Sequence, residues 1–136
     1  MNKFYIGQEQ SASKMFTEED VKLFARISGD DNPLHTDREY AEKSRFGAPV
    51  VHGILVSGLI SKVLGTKLPG QGSIYLEQQL VFKRPVYVGD VVTAVVRITD
   101  IVTEKKIITL ETTVYNQEDE CVVSGNAKIL YDGGTL

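Results

Sequence analysis

Eight consecutive residues, Ser28-Gly29-Asp30-Asp31-Asn32-Pro33-Leu34-His35, bring together two carboxylates, a carboxamide and one of the chain's two histidines. A carboxylate and an imidazole on one turn can hold a water between them, or take up one proton while giving another. Asp, Asn and Pro are also ordinary turn formers. The same run therefore reads equally as an Asx-turn with solvated aspartates and a surface histidine. A third reading places a divalent ion on Asp30, Asp31, His35 and Asp37, donors of the hard or borderline kind. The run lacks the turn glycine and terminal glutamate of a calcium loop, and no metal is expected.

The second histidine stands in His52-Gly53, just ahead of the most apolar stretch of the chain. A helix starting there leaves backbone N–H groups unpaired at the positive end of its dipole. Such a terminus can stabilise negative charge developing on a carbonyl oxygen, and a glycine lets a ligand approach the backbone closely. Taken alone, His52 reads as a helix-entry residue satisfied by a local hydrogen bond. Other catalytic patterns are missing: no Gly-rich phosphate loop, no cysteine pair for zinc, no serine in a nucleophile elbow. Cys121 falls in an alternating segment and reads as a structural thiol. Lys83-Arg84, ahead of Pro85, could meet an anionic ligand, but two basic residues at a strand end are usually just solvated.

These residues have to be positioned by the elements around them. A helix is expected from Thr17, with capping-box spacing to Asp20 and three acidic residues at its start. Val21, Phe24, Ala25 and Ser28 then form one face, and Gly29 is a natural stop. Pro33 keeps Asn32 out of helical dihedrals. Thr36 and Glu39 have capping-box spacing, which predicts a short helix over 37–43. The run 53–64 carries Ile54, Leu55, Val56, Leu59, Ile60, Val63 and Leu64 on nearly every helical face, so it must be wrapped by other elements. Four segments rich in β-branched residues, 73–83, 90–102, 105–116 and 121–131, supply the wrapping. In the first, Ile74, Leu76, Leu80 and Phe82 are expected to share a face. Phe4-Tyr5-Ile6, ending at Gly7, reads as a further short strand. Long strands around one buried helix make an α+β layer structure.

Composition bounds the rest. At 136 residues, 42% hydrophobic and 24% charged, the chain reads as one globular domain over 1–136. Fifteen basic against eighteen acidic residues leave a net charge of −3, which argues against a general nucleic-acid binder. No apolar run is long enough for a signal peptide or a membrane span, so no membrane partner is expected. A lone cysteine fits a reducing compartment, and the expected location is cytoplasmic.

Ser28-Gly29-Asp30-x-Asn32-Pro33-x-His35-x-Asp37, followed by Phe46-x-x-Pro49-Val50-x-His52-Gly53, resembles the signature of MaoC-like hydratases. Within them, the chain is most similar to the single-domain R-specific enoyl-CoA hydratases. The resemblance extends over most of the chain, including 68–76 and Phe82-Lys83-x-Pro85-Val86-x-x-Gly89-Asp90. It implies a hot-dog fold, a long antiparallel sheet wrapped around a central helix. It also implies a homodimer or higher homo-oligomer, an acyl-CoA thioester as substrate, and no cofactor. By resemblance Asp30 and His35 are the catalytic pair, and the Gly53 N–H polarises the thioester carbonyl. Asn32 shapes the loop, His52 stands beside the substrate, and Ser61 and Leu64 are candidates for chain-length control. Asp31, beside the catalytic position, is expected to face solvent. A carrier-protein-dependent 3-hydroxyacyl dehydratase, a thioesterase and a non-catalytic acyl-CoA-binding module are the alternatives. Polyester precursor supply, fatty-acid oxidation and acid assimilation are equally open as pathways.

Overall fold

The computed structural model describes residues 3–136. Five strands form one antiparallel sheet: β1 (Glu9–Met15), β2 (Ser73–Phe82), β3 (Val91–Val102), β4 (Ile107–Tyr115) and β5 (Cys121–Tyr131), in the order β1-β3-β4-β5-β2. The four longer strands match the β-branched segments of the sequence. Along β3 and β4, alternate residues (Val92, Ala94, Val96, Ile98; Ile108, Leu110, Val114) are fully buried, so one face of the sheet builds the core. Against that face lies α4 (Gly53–Thr66), which contributes Val56, Leu59, Ile60, Val63 and Leu64 to the same core. A sheet packed about one central helix is the α+β hot-dog arrangement. Among the described residues, no helix is long and apolar enough to cross a membrane.

Four expectations need correction. The segment from Phe4 to Ile6 is not a strand. Phe4 packs edge-on against Tyr131, the chain turns at Gly7, and the strand begins at Glu9. The sequence EQSASKM has no apolar alternation, and it is extended because every residue pairs with β3, from Glu9 opposite Arg97 to Met15 opposite Val91. The short helix after the loop is α3 (Arg38–Glu42), and its cap is Asp37 rather than Thr36: the Tyr40 N–H donates to Asp37 Oδ1 at 3.1 Å. Thr36 instead closes α2 (Pro33–Thr36), donating its hydroxyl to the carbonyls of Asp31 and Asn32. In β2, Leu76 is the extra residue of a bulge between Tyr75 and Glu77, which breaks the expected alternation. Leu80 packs toward the core, whereas Ile74, Leu76 and Phe82 are exposed. Finally, α4 is not enclosed on every side by its own chain. Ile54, Gly58, Ser61 and Lys62 remain exposed on the face away from the sheet.

Candidate active site

The site begins at the end of α1 (Glu18–Ser28). Val21 and Ala25 anchor this helix in the core, and Gly29, at φ 82°, reverses the chain as its N–H closes on the Ala25 carbonyl. An L side chain is strained at that dihedral, so glycine is needed there. The loop then holds itself by short-range bonds. The Asp30 N–H donates to Ser28 Oγ at 3.0 Å, the Asn32 N–H to Asp30 Oδ1 at 3.3 Å, and the Leu34 N–H to Asn32 Oδ1 at 3.0 Å. Asn32 is thus the cap of α2, with Pro33 at its first position. This one-turn helix presents His35 inward.

Two backbone contacts bring the second motif to the first. The Val51 N–H donates to the Val86 carbonyl at 2.7 Å, and the Val50 N–H to the Leu34 carbonyl at 3.4 Å. His35 Nδ1 lies 2.7 Å from the Val50 carbonyl. A carbonyl oxygen only accepts, so Nδ1 carries the proton and the neutral ring keeps its lone pair on Nε2. His52 Nε2 lies 2.9 Å from the backbone carbonyl of Asp30, and by the same reasoning it is the donor. The same nitrogen is 4.0 Å from the Asp30 carboxylate. The two imidazoles stack with ring centroids 3.9 Å apart, and Phe24 of α1 packs against His52 in a tilted contact at 4.7 Å.

Asp30, His35 and His52 each offer a ligand atom, and these atoms all lie within 4.8 Å of one another. They line a niche of about 300 Å³ that also holds Ser28, Gly53 and Ile54. An aspartate and two imidazoles are donors a borderline divalent ion takes, but His52 Nε2 is bonded to the Asp30 carbonyl and its Nδ1 is buried. A water held by the Asp30 carboxylate and His35 Nε2 fits the arrangement better. The metal set read from the sequence does not form: Asp31 is exposed to solvent and Asp37 is occupied as a helix cap.

Beside the niche opens a larger chamber of about 420 Å³, walled by Leu34, Phe46, Val50, Val56, Phe82 and Val123 among others. His35, Gly53 and Ile54 line both spaces. The first i→i−4 bond of α4 runs from the Val56 N–H to the His52 carbonyl, so the amides of Gly53, Ile54 and Leu55 precede the helical ladder. His52 makes no side-chain cap bond to them. The Phe82 ring covers Gly53 so closely that a Cβ there would come within 2.6 Å of it. Glycine is therefore the residue this position accommodates.

Ser61 and Leu64 line neither space: Leu64 is fully buried in the core, and Ser61 is exposed two turns along α4. Sequence reasoning missed Phe46, Phe82 and Val123 as chamber walls, since an apolar residue's facing is not written in its identity. Lys83 and Arg84, read from the sequence as solvated with an anionic ligand as the alternative, both stand at the chamber. Arg84 is paired with Glu120 at 3.3 Å. A hydrogen bond from Asn116 and then the Arg84 charge hold the Glu120 carboxyl below its ordinary range.

The MaoC-like domain model matches residues 4–120. This chain belongs to the MaoC-like family. It is 46% identical over 127 residues to an (R)-specific enoyl-CoA hydratase of Rhodospirillum rubrum, covering 93% of this chain and 82% of that protein. It is also 46% identical over 124 residues to an (R)-specific enoyl-CoA hydratase of Aeromonas caviae, covering 91% and 92% respectively. The solved structure of the (R)-hydratase from A. caviae involved in PHA biosynthesis superposes with a TM-score of 0.94 at 44% identity, over 96% of this chain and 99% of that one. This MaoC-like chain therefore shares its whole architecture with an (R)-hydratase.

Proposed function

We propose that this protein is an (R)-specific enoyl-CoA hydratase, adding water reversibly to a trans-2-enoyl-CoA to give the (3R)-3-hydroxyacyl-CoA. One observation carries the reading: a polar niche holding Asp30 and His35 meets an apolar chamber at Gly53, where helix amides stand free. The chamber suits an acyl chain, the niche suits one water, and the junction suits the thioester carbonyl. Asp30 and His35 hold the water, with His35 Nε2 available as a proton acceptor. Hydroxyl adds to the β-carbon, and negative charge builds on the thioester oxygen. The amide of Gly53, at the positive end of α4, stabilises that charge. A proton returns to the α-carbon, so both side chains end as they began. Asn32 holds the loop from which Asp30 and His35 project.

The active unit in this reading is a homodimer. Strand β2 is hydrogen-bonded on one side only, by β5, and it exposes Ile74, Leu76, Val81 and Phe82 at 44–53%. An open edge strand with that much hydrocarbon is a surface for pairing. The unwrapped face of α4 with Ile54, 58% exposed, calls for the same cover. The free thiol of Cys121 and the reading's substrate both suit the cytoplasm.

The test mixes purified protein with crotonyl-CoA and follows the absorbance of the conjugated thioester together with free thiol. The expected result is bleaching without thiol release and formation of the (3R) product. Thiol release would make the protein a thioesterase. Turnover only of the carrier-protein thioester would make it a dehydratase of acyl-carrier substrates.

A further inference from the structure

We infer that His52 is a positioning residue, which fixes Asp30 through one hydrogen bond and His35 through ring stacking without itself touching the substrate. The inference rests on the hydratase reading above and specifies how that site is held. Only 3% of the His52 surface is exposed, against 52% for the Asp30 side chain. Its Nε2–H is committed to the Asp30 carbonyl at 2.9 Å. Its Nδ1 is buried and has no hydrogen-bond partner. A group that delivered or accepted protons in turnover would need an open path at one nitrogen, and His52 has none. Its ring is held by two others, stacked on His35 at 3.9 Å and packed in a tilted contact with Phe24 at 4.7 Å.

The placement explains why a histidine rather than an apolar residue occupies this buried position. Asp30 lies on an exposed loop and, among the described residues, is otherwise held only by Ser28, at the end of α1, and by Asn32, each two positions away. The bond from His52, twenty-two residues away, is the side-chain tie from that carbonyl to the start of α4. His35 projects from a helix of one turn, and its Nδ1–H bond to Val50 leaves the ring free to tilt about that contact. The His52 ring removes that freedom. The pair that holds the water is thereby registered to the same residue that precedes the Gly53 amide. An unpartnered buried nitrogen is unfavourable, and its retention fits a residue kept for geometry.

Three substitutions separate the two duties. His52→Phe keeps a flat ring and removes the tie to Asp30. His52→Gln keeps an N–H donor toward Asp30 and removes the ring, and His52→Ala removes both. Steady-state kinetics with crotonyl-CoA are read with imidazole nitrogen NMR on the substrate-free protein. In the wild type, His35 is expected as the Nδ1–H tautomer and His52 as the Nε2–H tautomer. His52→Phe should keep the His35 ring signals sharp, whereas His52→Gln and His52→Ala should broaden them as the ring gains freedom to tilt about its bond to Val50. Displacing catalytic groups by an ångström can cost about 10²-fold, and a loss of about that size in kcat is expected for His52→Ala, with smaller losses for the other two. KM should stay within about twofold, since no substrate contact is removed. Should His52→Ala not fold, Phe24→Ala removes one of the contacts holding the His52 ring and should lower kcat with KM held, by about tenfold or less.

A raised KM with unchanged kcat would make His52 a substrate contact. Wild-type kcat in His52→Ala would remove its role altogether. Loss of one limb of the pH–rate profile in His52→Phe, with the His35 tautomer intact, would make it a proton-transfer group. Each of these overturns the inference. Absence of hydratase turnover in the wild type would sink the functional reading alone, because the His35 ring signals of the free protein still report whether His52 fixes that ring.

Discussion

Two helices of this molecule begin in opposite ways. At the start of α1 the Asp20 N–H donates to Thr17 Oγ1 at 3.1 Å, and the Thr17 N–H donates back to Asp20 Oδ2 at 3.0 Å. Both orphan donors are satisfied locally, which is what a capping box does. At the start of α4 the capping position is His52, whose side chain bonds to none of the helix amides. The first is closed by a threonine and an aspartate three residues apart. The second is left open beside a chamber, and its capping residue reaches instead to the Asp30 loop. A capped terminus spends its amides on stability. An uncapped one keeps them for a ligand, with cover supplied by Phe82 and the chamber wall.

The comparison breaks most sharply at the groups facing the open terminus. Asp30→Asn and His35→Ala should each lower turnover of crotonyl-CoA by about 10²-fold or more, with circular dichroism unchanged. Near-normal rates in either would mean that the open amides face no catalytic pair. Gly53→Ala comes next. The added methyl meets the Phe82 ring at 2.6 Å, and that ring is about half exposed and able to shift. The variant keeps its backbone N–H and should fold, but the methyl and the displaced ring push the thioester away from that amide, which should cost roughly tenfold to hundredfold in kcat. A fully active Gly53→Ala would show that the thioester does not need the close approach a glycine allows here.

At the closed terminus the effects move from rate to stability. Thr17→Ala should cost about 1 kcal/mol in a urea melt and leave turnover unchanged. A kinetic defect there would erase the distinction between the two helix starts. The smallest effect is in acid. The Asp20 carboxyl titrates below its usual range, chiefly because it accepts the Thr17 backbone N–H, with a lesser contribution from Lys14 at 3.3 Å. A lowered folded-state value means that the stabilisation is complete above the unfolded value, about 3.9, and fades as pH falls through the folded one. The stability gap between wild type and Asp20→Asn should therefore be level from pH 7 to about 5 and narrow below about 4. A gap that widens in acid would contradict that sign.

Much of the architecture was legible because its signals are local. The capping box of α1, the stop at Gly29 and the four long strands each lie in the order and type of neighbouring residues, and the structure keeps all of them. The first strand was not legible, because EQSASKM becomes extended only by pairing with β3. Nor was the bulge at Leu76, which depends on the register with β5. The same division runs through the site. The spacing of Asp30, Asn32 and His35 on one turn is a local fact, and so is a glycine at the head of an apolar helix.

The sequence by itself determined which groups could do acid–base work, that they sit on a turn, and that a buried helix begins at His52-Gly53. It did so because caps, turns and periodic apolar faces are set by residues a few positions apart. Only the tertiary structure decided that His52 lies under His35 and against the Asp30 carbonyl, that Phe82 covers Gly53, and that Ser61 and Leu64 stand away from the chamber. Those relations join residues 17 or more positions apart. They follow from how the Val50–Val51 segment docks between Leu34 and Val86, a packing outcome that no local spacing encodes.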